Sequence, residues 1–423
     1  MISQSATVRA AEVLARCKTL ARCSEDAGSL RRTFLSPPMR DCHQAIGAWL
    51  KPLGMVPAVD AAGNLRAVYP AASDNAATLL IGSHLDTVPN AGAYDGMLGV
   101  ILAIALLEQL DGQQLPFAVE IIGFSEEEGV RFGIPFIGSR ALVGRLDEEL
   151  LNKRDPNGIS LREAIQNFGL DPSQIPTAAL QYENVLGYLE FHIEQGPVLD
   201  ALALPLGTVD AIVGQTRLAI TFTGQANHAG TTPMNARRDA LAGAAQWMVA
   251  VENEARRAPG LVATVGFIEA HPGASNVIPG EVRVTLDVRH SSDEVRTQWV
   301  RRLTASALEI AARRGLGLDS ATLLEQSAVA MDPVLMSEIV TAVRASGSTA
   351  HQMPSGAGHD AMILAERVPA AMIFLRSPGG TSHHPAESVL AEDVACAIES
   401  GVHLLKRLAA CPKFLERTNR TRA

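Results

Sequence analysis

The chain lacks a disulfide framework, a membrane-spanning run and a basic surface. Its five cysteines, Cys17, Cys23, Cys42, Cys396 and Cys411, are odd in number and form no C-x-x-C pair, which argues against a secreted disulfide scaffold and favours a reduced, cytoplasmic compartment. There is no long basic run and the formal net charge is -9, so the electrostatic footprint of a nucleic-acid binder is missing. The longest apolar stretch, Met97–Leu107, is well short of the roughly 20 residues that cross a bilayer. It reads as a buried helix, and no membrane partner is expected. The N-terminus, MISQSATVRAAEVLARCKTLARC, has no basic segment leading into an unbroken apolar one. Its apolar residues recur at helical spacing, which predicts a surface helix rather than a signal peptide. No internal repeat or low-complexity tract is present, and the last residues, LERTNRTRA, read as frayed.

What is present is a composition for folding: 423 residues, 47% hydrophobic and 19% charged, enough for two domains that each bury a core. Short Val/Ile/Leu runs alternate with helical patterns in TLLIGSHLDT (78–87), the helix after Asp95, FAVEIIGFSEEEG (117–129), YLEFHIEQG (188–196) and AAMIFLRSPGG (370–380). This rhythm predicts an α/β fold with a mainly parallel central sheet. Between 212 and 329 the order becomes β-α-β-β-α-β: strands at 217–225, 261–270, 281–290 and near 320–327, and helices over 236–257 and 293–314. That order predicts a ferredoxin-like α+β domain, inserted into a catalytic domain made of 1–211 and 330–423.

His84, Asp95, Glu127, Glu128, His192 and His383 each follow one of the apolar runs. In an open α/β sheet the ligand crevice lies beyond the carboxyl ends of the strands, where all of them fall. Taken singly, each has an ordinary reading: H-x-D in GSHLDTV (82–88) as a loop pair, Asp95 as a helix N-cap, the SEEEGVRF run (125–132) as a solvated acidic face. Their shared position points elsewhere. Histidines and carboxylates converging on one edge suit divalent cations, with Asp95 able to bridge two of them and Asp86 placed to orient His84 from behind. A carboxylate beside such ions suits hydrolysis of an unreactive C–N bond, because a base must take the proton of the attacking water.

GSHLDTV, YDGMLGV, SEEEG-RF, HIEQGP, GQANHAGTTPM (224–234), GASNVIPGEV and GTSHHPAE, in this order over about residues 60 to 400, resemble the hydantoinase/carbamoylase branch of the M20 metallopeptidases. The branch includes N-carbamoyl-L-amino-acid hydrolases, allantoate and ureidoglycolate amidohydrolases and β-ureidopropionases. The resemblance implies two divalent metal ions per subunit, Zn first with Mn, Co or Ni as alternatives. His84 and His192 would hold one, Glu128 and His383 the other, and Asp95 would bridge them. His383 rather than His384 matches the first histidine of the family's S-H-x-P pattern. Glu127 matches the general base and His228 a residue that completes the active site on lid closure. Gln195, Gln215, Arg217, Asn276 and Arg289 match or adjoin substrate-binding positions, and a guanidinium such as Arg289 suits a carboxylate. A homodimer through the inserted domain and a small ureido acid substrate are implied as well. His192 stands where M20 peptidases commonly carry an acid, which leans away from peptide hydrolysis. The alternatives are a dinuclear M20 peptidase acting on a dipeptide or N-acyl amino acid, and a non-catalytic binding protein on the same fold. The latter is expected to lack a ligand or the base, and all six positions are filled.

Overall fold

A computed structural model of the protein describes residues 2–417. The chain divides into two compact units, one running up to Asp210 and resuming at Met331, the other Ala211–Ala330.

In the first unit four parallel strands lie side by side in the order Ala118–Phe124, Thr78–His84, Val185–Ile193, Ala370–Leu375. Antiparallel strands flank them: Leu65–Tyr69 on one side and Leu206–Ile212 on the other. The fold is therefore mixed α/β around a mostly parallel centre. The middle strands are buried along nearly their whole length, which is why their sequences run as continuous Val/Ile/Leu rather than alternating.

One face of this sheet is covered by the helix Met97–Gln109, whose residues Met97–Leu107 are all buried. A helix apolar on every side must be enclosed on every side. Here the sheet lies against part of it, and the helices Gln4–Leu20 and Ala391–Ala409 pack against the rest. The N-terminal segment is accordingly a helix with Ala6, Ala10, Val13, Cys17 and Leu20 buried on one stripe, capped by Ser3. At the other terminus Arg417 donates to Asp332 at 2.7 Å, so Leu415–Arg417 are held. The fraying expected from Leu415 onward does not extend to these three residues, and the rest of that run lies outside the described residues.

The second unit is a four-stranded antiparallel sheet in the order Gly317–Gln326, Gly214–Thr223, Glu281–His290, Val262–His271. Numbered along the chain this is 4-1-3-2, and the helices Ala240–Ala255 and Asp293–Arg313 pack on it. Alternation is plain in Glu281–His290, where Val282, Val284, Leu286 and Val288 enter the core with Phe222 and Trp247. The last strand begins at Gly317, three residues before the start expected from sequence, because Gly317 and Leu318 pair with Thr223 and Phe222 although their own pattern is weak. Among the described residues no helix is long and apolar enough to cross a membrane.

Gly99 sets the distance between the buried helix and the sheet. A Cβ there would lie 2.1 Å from the Phe191 carbonyl oxygen and 2.9 Å from Ser83 Cβ, so any side chain must push the helix off two site-bearing strands. Gly99→Ala is expected to destabilise the protein by about 1–3 kcal/mol through overpacking, measured as a fall in the denaturation midpoint. Gly356→Ala, where a Cβ meets nothing within 4 Å, is the control. Equal midpoints for the two variants would contradict the packing account.

Candidate metal centre

The parallel strands end level with one another. His84 closes its strand opposite Phe124, the last residue of the neighbouring strand, and His192 pairs with Phe374 on the other side. The turn Ser125–Glu128 and the loop carrying His383 therefore start from the same edge as the two strand histidines. Asp95 arrives from the N-terminus of the buried helix. It does not cap that helix: the cap position is Gly96, at φ +71 with no side-chain cap bond. A Cβ on Gly96 would come within 2.5 Å of the His84 ring, so only glycine permits the Asp95 turn to approach His84 so closely.

Among the described residues four overlapping groups could hold an ion; two share Asp95, His84–Asp95–His192 and Asp95–Glu128–His383, and the others are His84–Glu127–Glu128 and Glu190–His192–His359. Asp95 Oδ1 lies 3.2 Å from His192 Nε2 and 3.8 Å from His84 Nε2. Its Oδ2 lies 3.2 Å from His383 Nε2, which is 3.3 Å from Glu128 Oε1. Each carboxylate oxygen thus faces a different set. His384, by contrast, turns its Nδ1 to accept from the Ala386 amide at 3.1 Å.

The hydrogen bonds behind the rings fix how their front nitrogens face. His84 Nδ1 faces the Asp86 carbonyl at 3.0 Å and His192 Nδ1 the Ile193 carbonyl at 2.9 Å. A carbonyl only accepts, so both Nδ1 atoms carry a proton and each ring turns its Nε2 to the front. The two Nε2 atoms lie 3.4 Å apart and both face Asp95 Oδ1. Two ring nitrogens and a carboxylate oxygen gathered in this way are donor types that suit a divalent ion. Burial opposes charge on His84, yet the Asp86 and Asp95 carboxylates keep it well above the usual imidazole range. His383, bonded to Asp95 and Glu128, is pushed up to about 10.

Glu127 is buried beside the first set, and burial lifts its carboxyl well above the ordinary range, with Glu128, Asp360 and Asp86 adding to the rise against the opposing pull of His84. The acidic run is not a solvated face: Glu126 is fully buried and Glu127 nearly so.

Asp86 works differently from the expectation. It orients His84 through its backbone carbonyl, and its carboxylate accepts instead from the Glu127 and Glu128 amides at 2.9 and 3.0 Å. The two-residue spacing brings the carbonyl nearer the ring, leaving the carboxylate, 3.6 Å from Nδ1, to hold the glutamate turn. Gln195, at φ +58, gives its amide N–H groups to both Asp95 oxygens at 3.1 and 3.0 Å, and its Oε1 is buried without a partner.

Several buried polar groups were not foreseen. His359 packs edge-on against His192 with ring centres 4.4 Å apart and shares a hydrogen bond with Ser355 Oγ. Glu190 accepts from Ser83 Oγ and the Ala361 amide, Asp360 accepts from Ser139 Oγ, and Glu387 accepts from the Tyr94 and Asp95 amides. A signal did exist: SGAGHDA (355–361) places His-Asp after a short glycine-rich turn, and Glu190 interrupts an apolar strand two residues before His192, on the same face.

The remaining candidates lie in the Ala211–Ala330 unit. Arg217 and Arg289 both donate to Asp287, at 2.8 Å from Arg217 Nη2 and 2.9 Å from Arg289 Nε, and Gln215 pairs in register with Arg289 while donating to Gln326. The Arg289 fork is therefore already partly engaged by a carboxylate of its own strand. Asp287 is half-buried, which alone would raise its carboxyl, but the two guanidinium groups hold it below the ordinary range. His228 and Asn276 meet at a small strand pair, where the Ala229 amide donates to the Asn276 carbonyl. His228 Nδ1 accepts from the Gly230 amide at 3.0 Å, which leaves the proton on its exposed Nε2.

Residues 80–407 match Peptidase family M20/M25/M40. The chain is 40% identical over 392 residues to an N-carbamoyl-L-amino acid amidohydrolase of Geobacillus stearothermophilus, covering 91% of this chain and 95% of that one. It is 39% identical over 419 residues to an allantoate deiminase of Arabidopsis thaliana, covering 91% and 80%. A solved amidase of the hydantoinase/carbamoylase family from Burkholderia multivorans superposes with a TM-score of 0.89 at 31% identity over 95% of this chain and 98% of that one. With its strand-end histidines and carboxylates arranged as a cation site, the chain belongs to the M20/M25/M40 peptidase family, alongside the carbamoyl-amino-acid and allantoate hydrolases of that family.

Proposed function

We propose that this protein hydrolyses the ureido C–N bond of an N-carbamoyl-L-amino acid or of allantoate, releasing ammonia and carbon dioxide. The observation that carries the reading is Asp95, which turns one oxygen to each of two ligand sets while Glu127 stands buried beside them. His84, His192 and Asp95 would hold one divalent ion, and Glu128, His383 and Asp95 a second. Imidazole and carboxylate donors suit Zn first and admit Mn, Co or Ni. When bound, the ions supply polarisation of the scissile carbonyl and a more acidic water. The substrate class follows the activities for which the similar amidohydrolases are named.

Glu127 takes the proton of the attacking water as its oxygen bonds to the carbamoyl carbon. The same carboxyl then delivers that proton to the departing nitrogen, so one group serves both halves of the reaction; the carbamate left when ammonia departs breaks its remaining C–N bond to give carbon dioxide and the free amine. His228, with its proton on Nε2, suits donation to the developing oxyanion. Asn276 and Arg289 suit the substrate carboxylate, with Gln215 and Arg217 beside them, and Gln195 holds Asp95 in its bridging pose. The Ala211–Ala330 unit acts in this reading as a lid and dimerisation domain, with hinges where the chain enters and leaves it. His228 would serve its own site or that of a second copy. Five free cysteines suit a reducing cytoplasm.

Ammonia release from metal-reconstituted protein, offered allantoate, several N-carbamoyl-L-amino acids and a dipeptide in parallel, tests the reaction class. Cleavage of the dipeptide alone would overturn the ureido assignment. Glu127→Gln is expected to bind metal normally and to lose roughly 10²- to 10⁴-fold in kcat; a rate near wild type would remove Glu127 as the base. A base acts deprotonated, and burial raises its pKa, so kcat/KM should fall as pH drops through a value above the ordinary 4.5. The residual activity of Glu127→Gln should lack that limb, and an unchanged limb would assign it to another group. Light scattering is expected to give a dimer, and a monomer would count against the shared-site role of the inserted unit.

A further inference from the structure

The two halves of the metal centre are built to different standards. His84 and His192 belong to strands, their rings are fixed from behind by backbone carbonyls, and both are almost completely buried. His383 lies on an irregular loop at φ +55, and its side chain is 48% exposed. No regular element holds it opposite Asp95 and Glu128.

Glu387, four residues further along that loop, supplies the missing constraint. Its Oε1 accepts from two consecutive amides of the distant Asp95 turn, Tyr94 N at 2.8 Å and Asp95 N at 3.1 Å. The residue is 5% exposed. The Asp95 turn is shaped around it: a Cβ on Gly92 would lie 2.3 Å from Glu387 Cβ. Ser382, on the other side of His383, donates to Asp95 Oδ2 at 3.1 Å. The loop is thus tied on both sides of His383 to the backbone and side chain of the bridging residue. Glu387 Oε2, in contrast, is buried with no partner. Burying a carboxyl oxygen without a donor is unfavourable, so the grip of Oε1 must offset it.

Resting on the dinuclear reading above, we propose that Glu387 is a positioning residue that assembles the second metal set, Asp95–Glu128–His383, by locking the His383 loop onto the Asp95 turn. The ions then load in order: the strand-held His84–Asp95–His192 set binds tightly without Glu387, and the loop-held set depends on it. What matters is an acceptor oxygen at the Oε1 position, so glutamine preserves the function, whereas alanine and the shorter aspartate do not.

The test is calorimetric titration of Zn²⁺ into metal-stripped full-length wild type, Glu387→Ala, Glu387→Asp and Glu387→Gln, with melting of each metal-free protein alongside. Wild type and Glu387→Gln are expected to bind two equivalents with similar affinities. Glu387→Ala and Glu387→Asp should retain the first affinity and lose roughly 10- to 100-fold on the second, the usual effect of removing a group that orients a ligand. If the alanine variant does not fold, the comparison of Glu387→Asp with Glu387→Gln decides. Wild-type affinity for the second ion in Glu387→Ala or Glu387→Asp overturns the proposal, as does a second-ion loss in Glu387→Gln equal to theirs. A lowered metal-free melting point with both affinities unchanged makes Glu387 merely structural. Fewer than two equivalents in wild type defeats the dinuclear reading itself, and the proposal falls with it.

Discussion

The gathering of histidine nitrogens and carboxylate oxygens at the carboxyl edge of the parallel sheet is the constraint around which the first unit is organised. His84 and His192 turn Nδ1 toward backbone carbonyls and Nε2 toward each other and Asp95. Removal from water strengthens every interaction among these groups, and the Asp86 and Asp95 carboxylates favour positive charge on His84 against the burial that opposes it. A cluster that draws positive charge in this way has the donor types that suit a divalent ion.

The rest of the unit delivers and restrains these groups. Parallel strands bring their last residues to a common level, the buried helix carries Asp95 to meet them, and Gly96 and Gly99 allow the close approaches that a side chain would forbid. Behind the ligands stands a layer of polar groups, each bonded to a ligand or to its backbone: Asp86 to the glutamate turn, Gln195 to Asp95, Glu387 to the Asp95 turn. Asp360 Oδ2 and Glu126 Oε2 are buried without a partner, and burial lifts both carboxyls above their ordinary range. A carboxyl kept out of water without a donor favours its protonated, neutral form. Orientation of ligands by such outer groups is general in metal sites.

The inserted unit obeys a different logic. Its sheet is antiparallel and amphipathic, with Val282, Val284, Leu286 and Val288 turned to the core and polar residues to the other side. Arg217 and Arg289 converge on Asp287 because Arg217 stands opposite it on the adjacent strand and Arg289 two residues along its own. The β-α-β-β-α-β order was readable from periodicity, since alternation of two and recurrence near 3.6 differ sharply over ten residues or more. The guanidinium pairing was not, because strand register depends on both strands at once.

Taken by itself, the sequence determined which residues could be ligands and where they would stand relative to the strands. A histidine or carboxylate after an apolar run falls at the strand end whatever the rest of the chain does, and the motif order from GSHLDTV to GTSHHPAE carried the family. The buried helix at Met97–Leu107 was equally plain, because eleven apolar residues without a polar face have only one stable place. Tertiary structure alone decided the pairings. It chose the carbonyl of Asp86 over its carboxylate for His84, turned His383 inward and His384 to its own backbone, and set Glu387 on a turn almost three hundred residues away. It also brought in His359 and Asp360, which follow a separate turn and join the site only when the sheet is assembled. Sequence spacing reports position along one chain segment, whereas a hydrogen bond between two loops depends on the path of every element that separates them.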